Sequence, residues 1–165
     1  MLALAAARLG FDVAILDPEP DAPAGRVAAH VIVAAYDDPE GLKALARASD
    51  VITFEFENVP AAALAQLAAL GAVVSPNANA LAIAQDRLQE KTFLNGAGVP
   101  TVGFAAIDSA DDLRTALASL GAPLLLKTRR GGYDGKGQTW VNAASGADAA
   151  WAELGGRPCV AETPA

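Results

Sequence analysis

The sequence predicts an α/β protein in two parts, a parallel-sheet unit over residues 1–97 and an α+β unit over 98–165. Three observations carry this. Short apolar runs alternate with helix-length segments as far as Ser75, the signature of strands joined by crossover helices. From Val99 the order changes to an extended run, a capped helix and two strands on either side of a glycine-rich loop. That loop stretch, Lys127 to Gln138, holds Lys127, Arg129, Arg130 and Lys136 out of 12 basic residues, against one acid, in a chain of net charge −7.

Composition narrows the classes open to a chain of 165 residues, long enough to bury a real core. Much of its hydrophobic content of 53% is alanine, and no run of about 18 strongly apolar residues is present to form a membrane span. The opening MLALAAARLG lacks the basic start and cleavage region of a signal peptide and reads as a helix. A single cysteine, Cys159, excludes an internal disulfide and suits a reducing cytoplasm. A pI near 4.6 argues against nonspecific binding of nucleic acid, which needs a broad basic face.

In the first part, Leu2 to Leu9 reads as a helix closed by Gly10, and Val13 to Leu16 as a buried strand ending at Asp17. Pro18 to Gly25 is a loop, and Val31 to Ala34 a second strand. Pro39 to Ala48 suits a helix with proline in its first turn. Val51 to Phe56 reads as a third strand, Pro60 to Leu70 as a helix closed by Gly71, and Val73 to Ser75 as a short strand before Pro76. A parallel unit of this type opens with a strand and a ligand-binding turn, whereas this chain opens on the helix, so a missing first strand is expected. Strand alternation sets Phe54 and Phe56 on one face and Glu55 and Glu57 on the other. Acids at a strand's carboxyl end can hold a substrate amine or hydroxyls, or form a solvated strand end; spacing leaves both open. Two helices follow, Asn77 to Gln85 and Asp86 to Gly96, with Asp86 placed as an N-cap. Arg87 and Lys91 lie four apart on one helix face, either around an anion or on a solvated face neutralised by Glu90.

In the second part, Thr101 to Ile107 is extended, and Ser109 caps a helix to Leu120 with Asp112 three residues on. Pro123 to Lys127 reads as a buried strand and Gly137 to Val141 as its hairpin partner. Ser145 to Leu154 is a further helix and Pro158 to Glu162 a last strand, which is expected to lie uncovered. Gly131, Gly132, Gly135 and Gly137 allow backbone N–H groups to approach phosphate oxygens, so the loop is a phosphate flap or else a solvated basic hairpin tip. Lys127, at the end of a buried strand, can present a point charge worth on the order of 4 kcal/mol at about 4 Å from a phosphate, before desolvation. His30 has no companion for a metal or a catalytic triad.

The pattern Lys-x-x-x-Gly-Gly-Tyr-Asp-Gly-Lys-Gly-Gln over 127–138 resembles the phosphate flap of ATP-grasp ligases. With Phe-Glu-Phe-Glu-Asn-Val-Pro (54–60) and Gln-Asp-Arg-Leu-x-x-Lys (85–91), it is most similar to the 5-(carboxyamino)imidazole ribonucleotide synthase family of purine biosynthesis. The resemblance implies an incomplete parallel-sheet pre-ATP-grasp domain followed by the α+β small lobe of an ATP-grasp fold. It implies ATP contacts at Arg87, Lys127, Gly132, Tyr133, Asp134, Gly135, Lys136, Gly137, Gln138, Glu162, Thr163, Pro164 and Ala165, although Thr-Pro-Ala departs from the family's usual Glu-or-Gln continuation. It implies that Glu55, Tyr133 and Asp134 meet the substrate, with Tyr133 and Asp134 in the catalytic step; Asp134 in Asp-Gly is equally a turn residue. The implied reaction joins ATP, bicarbonate and 5-aminoimidazole ribonucleotide through carboxyphosphate. The implied enzyme is a magnesium-dependent, cytoplasmic homodimer whose late Glu and Asn metal ligands fall beyond Ala165. The likeness covers nearly all of this chain and about half of the family's enzyme, so the chain alone is expected to be inactive. Another ATP-grasp ligase and a non-catalytic nucleotide-binding module are the alternative readings.

Overall fold

The computed structural model describes residues 1–132 and 135–164. The chain divides into two compact units, Met1–Ala82 and the residues from Ile83 onward.

The first unit runs α1 (Leu2–Arg8), β1 (Ala14–Asp17), a 3-10 turn (Pro23–Arg26), β2 (His30–Val33), α2 (Pro39–Ala48), β3 (Val51–Ile52), α3 (Ala61–Ala69) and β4 (Val73–Val74). Helix α4 (Ala78–Ala84) crosses the division. Both strand pairings are parallel, as the helix–strand alternation requires: Ala14 to Asp17 lie opposite His30 to Val33, and Val51 and Ile52 opposite Val73 and Val74. They form two separate two-stranded ladders. Helix α2 starts where Asp38 accepts the Gly41 N–H at 2.7 Å and Pro39 fills the first turn. Its Leu42 and Leu45, three apart on one face, are buried with Ile52, Ala63 and Leu67. Gly41 permits the close approach: a Cβ there would lie 2.9 Å from the Ala34 Cβ and 3.1 Å from a Leu16 methyl.

The strand expected over 51–56 stops at Ile52. Its partner β4 is two residues long, and its ladder closes with the Ser75 N–H on the Ile52 carbonyl at 2.9 Å. Pro76 then has no N–H to offer. Phe54, Glu55, Phe56 and Glu57 therefore sit in a loop, not on alternating strand faces. The Phe56 ring meets Tyr36, with centroids 6.2 Å apart and planes at 40°.

The second unit runs α5 (Arg87–Gly96), β5 (Phe104–Ile107), α6 (Ala110–Leu120), β6 (Leu124–Thr128), β7 (Gln138–Val141), α7 (Ala147–Glu153) and β8 (Cys159–Glu162). Four strands form one antiparallel sheet in the order β5-β8-β6-β7. Leu124, Leu126 and Thr128 alternate inward from β6, and Leu124 and Leu126 join Ile107, Leu113, Leu117 and Val141 in the core. The last strand is not uncovered. β8 lies between β5 and β6 with all four residues buried, because its backbone pairs on both edges and α6 and α7 contribute to the core against the sheet. Among the described residues no helix is long and apolar enough to cross a membrane.

Candidate functional site

In the second unit the hairpin β6–β7 carries the glycine-rich loop. The register sets Lys127 opposite Gln138, with Thr128 as the last strand residue before the loop. The Thr128 N–H donates to the Gly137 carbonyl at 2.9 Å and closes the root of the loop. Two glycines are sterically required there. At Gly132 a Cβ would lie 2.7 Å from the Lys136 carbonyl oxygen, and at Gly137, whose φ is +71°, it would lie 2.9 Å from the Thr128 hydroxyl.

Helix α5 braces the same root. Asp86 caps it, accepting the Leu88 and Gln89 N–H groups at 3.1 and 3.2 Å, and its other oxygen accepts from Arg130 Nε at 3.3 Å. The Arg87 N–H donates to the Arg129 carbonyl at 3.0 Å. The Arg87 guanidinium donates to the Thr128 carbonyl at 2.8 Å and to the Gly132 carbonyl. Arg87 thus ties the incoming arm of the loop to the helix start by three hydrogen bonds.

One turn further along α5, Lys91 turns to Glu162 and not to the neighbouring Glu90. Glu162 lies on the interior strand β8 with a side chain only 7% exposed. Its Oε2 accepts from Lys127 Nζ at 2.8 Å, and its Oε1 lies 3.4 Å from Lys91 Nζ. Two ammonium groups therefore share one carboxylate and leave a net positive charge beside the glycine-rich loop. Burial makes such pairs costly to break, on the order of 3–5 kcal/mol when one partner is removed from a buried pair. Below them, Arg129 Nε donates to the Cys159 carbonyl at 3.0 Å and its Nη2 to Asp108 at 2.8 Å. Thr163 continues from β8 with its N–H on the Gly103 carbonyl at 2.9 Å, and Pro164 is exposed.

The sequence candidates Arg87, Lys127, Gly132, Gly137, Gln138 and Glu162 thus gather around one hairpin and one strand end, with Gly135 and Lys136 on the returning arm of the loop. Tyr133, Asp134 and Ala165 lie outside the described residues. Lys91 was weighed only as Arg87's neighbour around an anion or on a solvated face, and its pairing with Glu162 was missed. Its signal was the pair of like charges, Arg87 and Lys91, one helical turn apart.

Glu55 belongs to the first unit. Both its oxygens lie 3.3 Å from the Leu2 N–H, at the start of α1, and one lies 3.5 Å from the Met1 ammonium. It lines an open cleft of about 1220 Å³ together with Asp17, Tyr36, Thr53 and Phe56. The Tyr36 hydroxyl donates to Asp17 at 3.3 Å, and burial, followed by the Asp17 charge, pushes its pKa up. Among the described residues no group of three or more His, Cys, Asp or Glu side chains could hold a metal ion.

Comparison with known proteins adds to this geometry. Residues 1–85 match the ribonucleotide synthetase preATP-grasp domain, and residues 92–165 the ATP-grasp domain. The chain is 54% identical over 138 residues to N5-carboxyaminoimidazole ribonucleotide synthase of Brucella melitensis, covering 84% of this chain and 38% of that protein. A crystal structure of N5-carboxyaminoimidazole synthetase from Staphylococcus aureus complexed with ADP superposes with a TM-score of 0.91 at 38% identity, over 99% of this chain and 43% of that one. The Aspergillus clavatus N5-carboxyaminoimidazole synthase in complex with ADP and 5-aminoimidazole ribonucleotide gives a TM-score of 0.86 at 28% identity, over 100% of this chain and 43% of that one. The chain spans about two-fifths of the length of these relatives.

Proposed function

The chain belongs to the ribonucleotide synthetase preATP-grasp family, and from that premise we propose that it forms the nucleotide-holding part of an N5-carboxyaminoimidazole ribonucleotide synthase. The reaction proposed is the ATP-dependent carboxylation of 5-aminoimidazole ribonucleotide with bicarbonate in purine biosynthesis. The observation that carries it is the Lys127–Glu162–Lys91 cluster at the root of a glycine-rich hairpin loop. That cluster offers ammonium charge and close backbone to phosphate oxygens.

In this reading Lys127 meets the α- and β-phosphates of ATP. Gly132, Tyr133, Asp134, Gly135, Lys136, Gly137 and Gln138 are assigned to the nucleotide as well, and Arg87 both braces the loop and reaches the nucleotide. Glu162, Thr163, Pro164 and Ala165 are assigned to the adenine side. Bicarbonate takes the γ-phosphoryl group as carboxyphosphate with release of ADP, and the imidazole's exocyclic amine then takes the carboxyl carbon with release of phosphate. Glu55, Tyr133 and Asp134 are assigned to the imidazole nucleotide, with Asp134 orienting the amine by a charge-assisted hydrogen bond. Magnesium would arrive with the ATP phosphates; the described side chains do not assemble a site for it. A cytoplasmic homodimer belongs to the same proposal, supported by the family resemblance.

Isothermal titration with ADP tests the reading. The chain is expected to bind ADP, and Lys127→Ala to weaken it about tenfold to a hundredfold, the worth of one charged hydrogen bond. A Lys127→Ala variant that binds ADP as well as the parent chain would overturn the assignment.

A further inference from the structure

Building on the nucleotide reading above, we infer that Lys91 is a positioning residue, the counter-ion that holds Glu162 in place when Lys127 turns from it to an anionic ligand. Glu162 has little freedom. Its backbone lies opposite Phe104 on one edge and Leu125 on the other, and its carboxylate is nearly closed off from water. Lys127 is its nearer partner, at 2.8 Å. To meet a phosphate, the Lys127 ammonium must leave that carboxylate. With no second cation, its departure would strand a buried negative charge, and the stranded charge would hold the lysine back.

Lys91 removes that obstacle. Its ammonium lies 3.4 Å from the other carboxylate oxygen, with a side chain 17% exposed. It comes from α5, an element separate from the hairpin, whose start is fixed by the Asp86 cap and by the Arg87 bonds to the loop root. Transfer of Lys127 to a phosphate therefore exchanges one ion pair for another, while Glu162 keeps a cation throughout. The arrangement of two ammonium groups on one carboxylate is what a releasable lysine requires. A single ion pair would be neutral and would compete with the ligand.

Titrations of the chain with ADP and with adenosine separate this role from a merely structural one. Lys91→Met is expected to weaken ADP about tenfold to a hundredfold while leaving adenosine, which has no phosphate to draw Lys127 away, within about twofold. Lys91→Arg, which keeps the charge, is expected to stay near the parent. In a Glu162→Gln background Lys91→Met is expected to have no further effect on ADP, because a neutral amide neither retains Lys127 nor needs a counter-ion. Equal losses for ADP and adenosine, or a Lys91→Met effect undiminished by Glu162→Gln, overturn the inference and leave the nucleotide reading standing. Failure of the parent chain to bind ADP at all overturns both. Should circular dichroism show Lys91→Met unfolded, Lys91→Gln carries the same comparison.

Discussion

At Cys159 the thiol is fully buried in β8 and donates to the Arg157 carbonyl at 3.1 Å. Burial raises its pKa above the ordinary 9.0, with the charges of Arg157 and Arg129 pulling the other way. The neutral thiol is thus favoured in the folded chain. Since the unfolded chain loses this proton first, stability falls as pH climbs above the unfolded value, and it is fully present below it. Cys159 is expected to react with a disulfide reagent at pH 8 only after denaturant is added, and Cys159→Ala to remove part of the alkaline loss of stability. Stoichiometric reaction within seconds in the folded protein would contradict this. Residue identity at such positions was readable before their partners were. Lys127 and Glu162 stood out by motif. That both share one carboxylate site with Lys91 was not legible, because the three come from β6, β8 and α5 and only strand pairing brings them together.

Helix α6 and the β6–β7 hairpin were legible as elements because their signals are local. Ser109 accepts the Asp112 N–H at 3.1 Å, and the Asp112 carboxylate accepts the Asp108 N–H at 2.9 Å. The Asp108 N–H on the carboxylate, followed by a side-chain hydrogen bond from the Ser109 hydroxyl, holds the Asp112 carboxyl below its usual 3.8. Its contribution is therefore present above the unfolded value and lost as pH falls through the lower folded value. Ser109→Ala is expected to cost about 1 kcal/mol. Asp112→Asn is expected to flatten part of the acid limb, read as the difference between variant and parent urea midpoints at pH 6 and pH 3. An acid limb identical in variant and parent would show that the Asp108 contact contributes nothing. The element that local signals misjudged was Val51 to Phe56. Alternation there suggested six strand residues, but a strand extends only as far as its partner, and β4 offers Val73 and Val74 before Pro76. The glutamates of that segment consequently left the strand for the loop, where Glu55 meets the start of α1.

Among the described residues two separate cores are buried, one built on Leu42, Leu45 and Leu67, the other on Ile107, Leu113 and Leu126. The change of pattern at Val99 suggested a second part from there on, whereas the compact units divide between Ala82 and Ile83, which sets α5 with the second. Its ties to that unit run through backbone carbonyls and a buried carboxylate, which leave no periodic trace in sequence. Both tryptophans, Trp140 on β7 and Trp151 on α7, fall in the second unit, and Trp151 lies against its core. Tryptophan fluorescence therefore reports the unfolding of that unit alone, whereas far-UV circular dichroism reports helices of both. Leu113, 0% exposed, and Leu42, 1% exposed, are matched probes of the two cores. Truncating either to alanine is expected to cost about 2–5 kcal/mol in its own unit. Leu113→Ala should lower the urea midpoint seen by fluorescence. Leu42→Ala should leave that midpoint in place and lower an earlier part of the circular dichroism transition. ADP, if it binds the second unit, should raise the fluorescence midpoint in both variants by mass action. A Leu42→Ala chain whose fluorescence midpoint dropped as far as that of Leu113→Ala would mean the two cores melt as one cooperative block.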